Sequence, residues 1–135
     1  MKKRMVKTPK RLLFGALAVF AAVLVVGLRP SFAQPEEMDA LKVCPDTQKL
    51  VLENAFVRVI EERLPPGATQ AKHRHPHGLT IAMSSFENDG FSFTDGKATK
   101  SVRTMGEVRW AEEVVHSGKN VGSTEQHIIR IELKY

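Results

Sequence analysis

His73 and His75 stand two residues apart in the run Gly67-Ala-Thr-Gln-Ala-Lys-His73-Arg-His75-Pro-His77. Side chains alternate faces along a strand, so the two imidazoles project to the same side, one pleat apart. Two such rings can chelate one cation if a third ligand comes from elsewhere in the chain. His116, in the second half, is the candidate for that third ligand. Neutral imidazole suits zinc, copper, iron or nickel. The competing reading is a histidine pair on a solvent face with no ligand at all. His77 keeps the alternation if Pro76 does not break the strand; a place on the rim is favoured over ligation. His127 shares its phase with Ile129, Ile131 and Leu133 and reads as a satisfied histidine on a core face. Leu79, Ile81 and Met83 continue the phase of His73 and His75 and are expected to line the site as an apolar wall. Glu112 and Glu113 are the acids nearest His116 in sequence. Glu112 is a candidate to orient an imidazole from behind, with an exposed loop pair as the plainer alternative. Asn120 is expected to stabilise its own loop.

The elements that would hold these residues read as strands. Ala55–Glu61 is rich in β-branched and aromatic residues, and Pro65-Pro66-Gly67 ends it. Leu79–Ser85 is a second strand. Asn88-Asp89-Gly90 carries turn chemistry, and Phe91–Thr94 alternates. Asp95-Gly96 is a two-residue hairpin signal, with Ala98–Thr104 returning. Met105-Gly106 turns again before Val108-Arg109-Trp110. The stretch 112–124, which holds His116, reads as a loop, and Gln126–Leu133 as a closing strand. Phe91, Phe93 and Trp110 are expected in the core. No helix longer than about three turns is expected after residue 50, and the strand spacing argues for a sandwich or barrel.

The first 33 residues have a different character. Six basic residues between Lys2 and Arg11 precede an uncharged apolar run, Leu12–Leu28, and Ser31-Phe32-Ala33 follows. That order of regions fits a signal peptide cleaved before Gln34, which places the mature protein in the periplasm or outside the cell with no membrane attachment after cleavage. An uncleaved anchor is the alternative, since 17 apolar residues lie near the short limit for a span. Seven of the 20 Lys and Arg residues lie in this leader with no acid, which leaves 13 bases against 15 acids, a net −2, for residues 34–135. The high overall pI therefore gives no ground for a nucleic-acid partner. The single cysteine, Cys44, forms no intramolecular disulfide; it reads as a packed thiol, an intermolecular partner or a reactive group. Residues 34–49 read as a polar surface arm and residues 50–135 as the folded domain. No Ser-His-Asp set, phosphate-binding glycine loop or zinc-ribbon pattern is present.

Gly67, five residues, then His73-x-His75 resembles the first motif of the cupin family. Gly106-Glu-Val-Arg-Trp-Ala followed by His116-Ser-Gly-Lys-Asn120 resembles the second. The resemblance spans residues 50–134 and is closest to small single-domain cupins. It implies an all-β fold, a double-stranded β-helix or jelly-roll barrel, with His73, His75 and His116 clustered on one divalent metal ion such as iron, zinc, nickel or manganese. Two departures stand out. Leu79 and Thr80 occupy the place of the first motif's glutamate ligand, and Glu112-Glu113-Val114 replaces the Pro-x-Gly of the second, which is one residue short. A three-histidine site is therefore expected. Two functions follow from it: a metal-dependent enzyme of oxygenase or isomerase type acting on a small, partly apolar molecule, or a non-catalytic barrel that holds a ligand or a metal. A homodimer would cover a remaining strand edge.

Overall fold

A computed structural model describes residues 36–135; the leader and its cleavage site lie outside the described residues. Among the described residues, nine strands form two antiparallel sheets: β1 (Gln48–Glu53), β2 (Val57–Leu64), β3 (Thr69–His75), β4 (Gly78–Ala82), β5 (Phe86–Ser92), β6 (Lys97–Arg103), β7 (Val108–Ala111), β8 (Val114–Asn120) and β9 (Gln126–Leu133). The five-stranded sheet runs β1-β2-β9-β4-β7 and the four-stranded sheet β3-β8-β5-β6. The inner faces meet: Arg103 on β6 donates to Thr80 on β4, and Asn88 on β5 to Gln126 on β9. This is a jelly-roll barrel, and among the described residues the only α-helix is the single turn α1, Ala40–Val43.

Residues 40–49 are less of a surface arm than their composition suggests. Ala40 is fully buried, Cys44 is buried, and Gln48 opens β1 on the inner face. Asp39 caps α1 through Leu41 N–H and holds Arg58 at 2.5 Å, which pins the segment to β2. Burial raises the Cys44 thiol, as fits a packed group rather than a nucleophile.

Four local expectations are corrected. Asn88-Asp89-Gly90 is not a turn but the middle of β5. The Asn88 amide is satisfied inside the barrel by Gln126 Oε1 at 2.8 Å, and Gly90 is there because a Cβ would stand 2.7 Å from the Ser117 carbonyl oxygen. The stretch 112–124 is not one loop, since β8 occupies its centre. Leu79, Ile81, Met83 and the odd-numbered residues of β9 do not face inward. The chain turns at Pro76 and His77, so β4 points Gly78, Thr80 and Ala82 into the barrel. On β9 the buried phase is Gln126, Ile128, Arg130 and Glu132. The apolar phase, Ile129, Ile131 and Leu133, joins Val57, Val59, Leu79, Ile81 and the exposed Val108 and Trp110 on the outside of the five-stranded sheet. Phe91 and Phe93 are exposed as well and pack on each other. The buried apolar core is correspondingly small, centred on Ala82, Phe86 and Ile128.

Gly78 begins β4 under tight constraint. A Cβ at this position would stand 2.0 Å from the Ile131 carbonyl oxygen of β9. Backbone cannot move aside as a side-chain tip can, so Gly78→Ala should part β4 from β9. The expected loss is at least about 3 kcal/mol, beyond ordinary overpacking. Thermal melting of the variant checks this; an unchanged melting temperature would mean the strands tolerate separation.

Candidate metal centre

The structure brings His73, His75 and His116 together, with one ring nitrogen from each within 4.8 Å of the others. Ring centroids are 4.6 to 5.4 Å apart. His73 and His75 share the inner face of β3 as the alternation requires, and both are fully buried. His116 lies directly opposite His73 on β8, held there by the β3–β8 ladder. Strand register thus delivers the third ring.

The tautomers follow from the hydrogen bonds. His73 Nδ1 lies 2.7 Å from the Ala71 carbonyl oxygen, which can only accept, so this nitrogen carries the proton. His75 Nδ1 lies 2.6 Å from Glu132 Oε1, and because Arg58 holds that carboxylate ionised, the nitrogen is the donor. Each neutral ring therefore presents a bare Nε2, and the two Nε2 atoms stand 3.0 Å apart. Two lone pairs at that distance repel unless a cation lies between them. Donors about 2.1 Å from one ion are separated by about 3.0 Å when they subtend a right angle. His116 Nε2 is buried with no hydrogen-bond partner, which leaves it available as a third donor. The donor set fits a divalent metal ion: three imidazoles, two of them locked by a proton on the far nitrogen.

Burial is the main force on these rings. It lowers His73, pushes His75 well down and takes His116 to about 3, and the buried Arg130 guanidinium adds to all three shifts. The proton linkage has a definite sign. Unfolded histidines titrate near 6.5 and the folded rings below that. The unfolded chain therefore binds more protons, and stability falls as pH drops below 6.5. Each ring contributes up to about 1.4 kcal/mol per pH unit until its folded pKa is reached. Burial raises Glu62 and Glu132, and their protonation acts in the opposite direction on the acid side. Denaturant unfolding of the metal-free protein should show a clear loss between pH 7 and 5.5; a flat profile would contradict neutral buried rings.

Several site residues were not legible in sequence. Glu132, 1% exposed, supports His75 from behind and also binds Arg58 Nε at 2.7 Å. Arg130 is buried on the same strand, its Nε without a hydrogen-bond partner, and burial lowers it to about 10. Gln48 reaches the cluster from β1, its Nε2 3.2 Å from His73 Nε2. The one available signal was the polar phase 126, 130, 132 of β9, which the usual rule assigns to solvent.

Other candidates fall elsewhere. His77 stacks on Trp110 and is not in the cluster. His127 binds Glu61 Oε1 at 2.9 Å, half-buried. Glu112 accepts from the Trp110 indole and Glu113 from Arg74, both exposed. Asn120 clasps the end of β8, donating to the carbonyls of Leu64 and Thr124. At the vacant motif positions Leu79 points outward, and Thr80 points inward but accepts from Arg103.

No family model and no curated protein matches the sequence. Solved structures do. A cupin domain from Bordetella pertussis Tohama I is 28% identical with a TM-score of 0.59, over 65% of this chain and 92% of that one. An uncharacterised double-stranded β-helix protein from Klebsiella pneumoniae is 22% identical with a TM-score of 0.51, over 64% and 70%. A protein of Thermotoga maritima described as a predicted oxalate decarboxylase is 19% identical with a TM-score of 0.48, over 65% and 79%, a distance at which nothing about activity carries across. The described residues have the fold of a small single-domain cupin.

Proposed function

We propose that His73, His75 and His116 hold one divalent metal ion and that the protein is an exported, metal-dependent enzyme of oxygenase or isomerase type acting on a small molecule. The observation that carries this reading is the pair of bare Nε2 atoms 3.0 Å apart, each fixed by a proton on the opposite nitrogen. Iron, zinc, nickel and manganese are all compatible with imidazole and oxygen donors. When bound, the ion supplies Lewis acidity or a site for oxygen, according to its identity. The protein's own residues keep the rings neutral, oriented and sheltered from water.

One observation favours a non-catalytic barrel. Each carboxylate near the centre is engaged: Glu132 with His75 and Arg58, Glu62 with Gln126. No free general base stands by the rings among the described residues. Nitric oxide added to the iron(II)-loaded protein separates the two readings. An enzyme keeps an open coordination position and should give the half-integer-spin resonance of an iron–nitrosyl. A saturated storage site should give none, and that result would remove the enzyme reading.

The leader is proposed to be cleaved before Gln34, with the protein released to the periplasm or medium; N-terminal sequencing of the exported protein tests this, and a chain starting at Met1 and needing detergent would show an anchor. The apolar outer face around Val59, Ile131, Leu79 and Trp110 fits a second copy placed by a two-fold axis, which presents the same surface to itself. Sedimentation should give a dimer, and Ile131→Lys a monomer.

A further inference from the structure

We propose that Gln48 is a fourth ligand of the histidine centre, its carboxamide oxygen serving where the first motif has no glutamate. The inference rests on the metal reading above and adds to it a residue outside both histidine motifs, on a different strand and in the opposite sheet.

Gln48 is the one buried residue of β1, at 2% exposure. Pairing with Glu62 on β2 turns its side chain into the barrel. There its Nε2 lies 3.2 Å from His73 Nε2 and 3.5 Å from Glu62 Oε2. Its Oε1 is buried with no partner. An orphaned carbonyl oxygen inside a barrel is a costly feature that calls for a reason. The bare His73 Nε2 supplies one. Without metal, the Gln48 amide can donate to that lone pair. With a cation on the same nitrogen, amide hydrogens would face positive charge, and a half-turn of the carboxamide puts the oxygen there instead. The two ends of an amide are nearly equivalent in shape, so the exchange needs little room.

No competing oxygen donor is at hand among the described residues. Glu132 is on the far nitrogen of His75, Thr80 is bound to Arg103, and neither Glu62 nor any other carboxylate joins the metal-ligating cluster. The neutral donor also has a consequence. Three imidazoles and a carboxamide leave the full charge on a divalent ion, which favours an anionic ligand at an open position more than a glutamate-bearing site would.

The test is calorimetric titration of the protein with manganese(II), a hard ion that values an oxygen donor. Gln48→Leu should weaken binding about tenfold or more, comparable to loss of a strong supporting contact. Gln48→Glu should tighten it. Gln48→Asn, which retracts the carboxamide by one methylene, should behave like the leucine variant and guards against a packing artefact. Circular dichroism confirms that each is folded. If Gln48 only occupies the His73 lone pair, its removal frees that nitrogen, and binding in Gln48→Leu stays equal or becomes tighter; that result overturns the proposal. Failure of the unaltered protein to bind any of manganese, iron, zinc and nickel would overturn the metal reading itself and the fourth ligand with it, whereas tight binding insensitive to Gln48 would remove only the fourth ligand.

Discussion

His116→Ala should abolish stoichiometric metal binding and leave the barrel folded. Losing a direct ligand is expected to weaken binding by at least about 100-fold, more than the tenfold to 100-fold typical of a supporting contact. The fold should survive because His116 Nε2 has no hydrogen-bond partner to lose. The ring is also kept neutral at a cost, its pKa held down to about 3 mainly by burial. Truncation should therefore reduce stability at neutral pH by about 1–2 kcal/mol, in the ordinary range for a partly buried side chain. It should also flatten the acid dependence of stability, since one of the rings that protonates on unfolding is gone. Metal titration and pH-dependent unfolding on the same variant read both effects. Unchanged metal binding would remove His116 from the centre.

Glu132→Ala should be the most damaging substitution to stability. The carboxylate is almost completely buried and takes Arg58 Nε at 2.7 Å, His75 Nδ1–H at 2.6 Å and Arg130 at 3.8 Å. Burial raises its pKa, and Arg58 works against that rise. Removing it strands the buried Arg130 with only Glu62 nearby for charge balance. Breaking a buried ion pair from one side costs about 3–5 kcal/mol. For a domain of this size that lowers the melting temperature by more than about 10 °C. His75 loses the acceptor that fixes its tautomer, so metal affinity should fall about tenfold to 100-fold. Glu132→Gln keeps an acceptor for His75 and should spare much of the affinity while still losing the charge. Equal affinity in the alanine variant and the native protein would show that Glu132 serves the fold alone.

The strand pattern was legible where turn chemistry and alternation agree. β9 occupies the expected residues 126–133, and Gly67, Gly96 and Gly106 adopt positive φ at the expected turns. The histidine pair was legible for the same reason, because alternation alone puts both rings on one face. The direction of the faces was not. Ile129 and Ile131 look inward by hydrophobicity, yet the barrel interior is given to Gln126, Arg130 and Glu132, and the apolar phase lies outside. A barrel that houses a polar centre inverts the usual rule, and a period of two cannot say which face is which. Leu79 failed as a wall residue through the same ambiguity, because the turn at Pro76 resets the phase. Asn88-Asp89-Gly90 misled because the features of a turn also suit a close crossing of two strands, where Gly90 faces Gly118. Glu132 and Gln48 could not be found from spacing, since sheet pairing brings them to the rings from 57 and 25 residues away.

Metal content of the native protein is the most direct measurement. The protein should be purified without metal-affinity steps and analysed by inductively coupled plasma mass spectrometry, with His116→Ala alongside. About one transition-metal ion per chain is expected in the native protein, or is restored by adding iron, zinc, nickel or manganese, and none should be retained by the variant. A native protein that carries no metal and takes up none of the four ions would contradict the account.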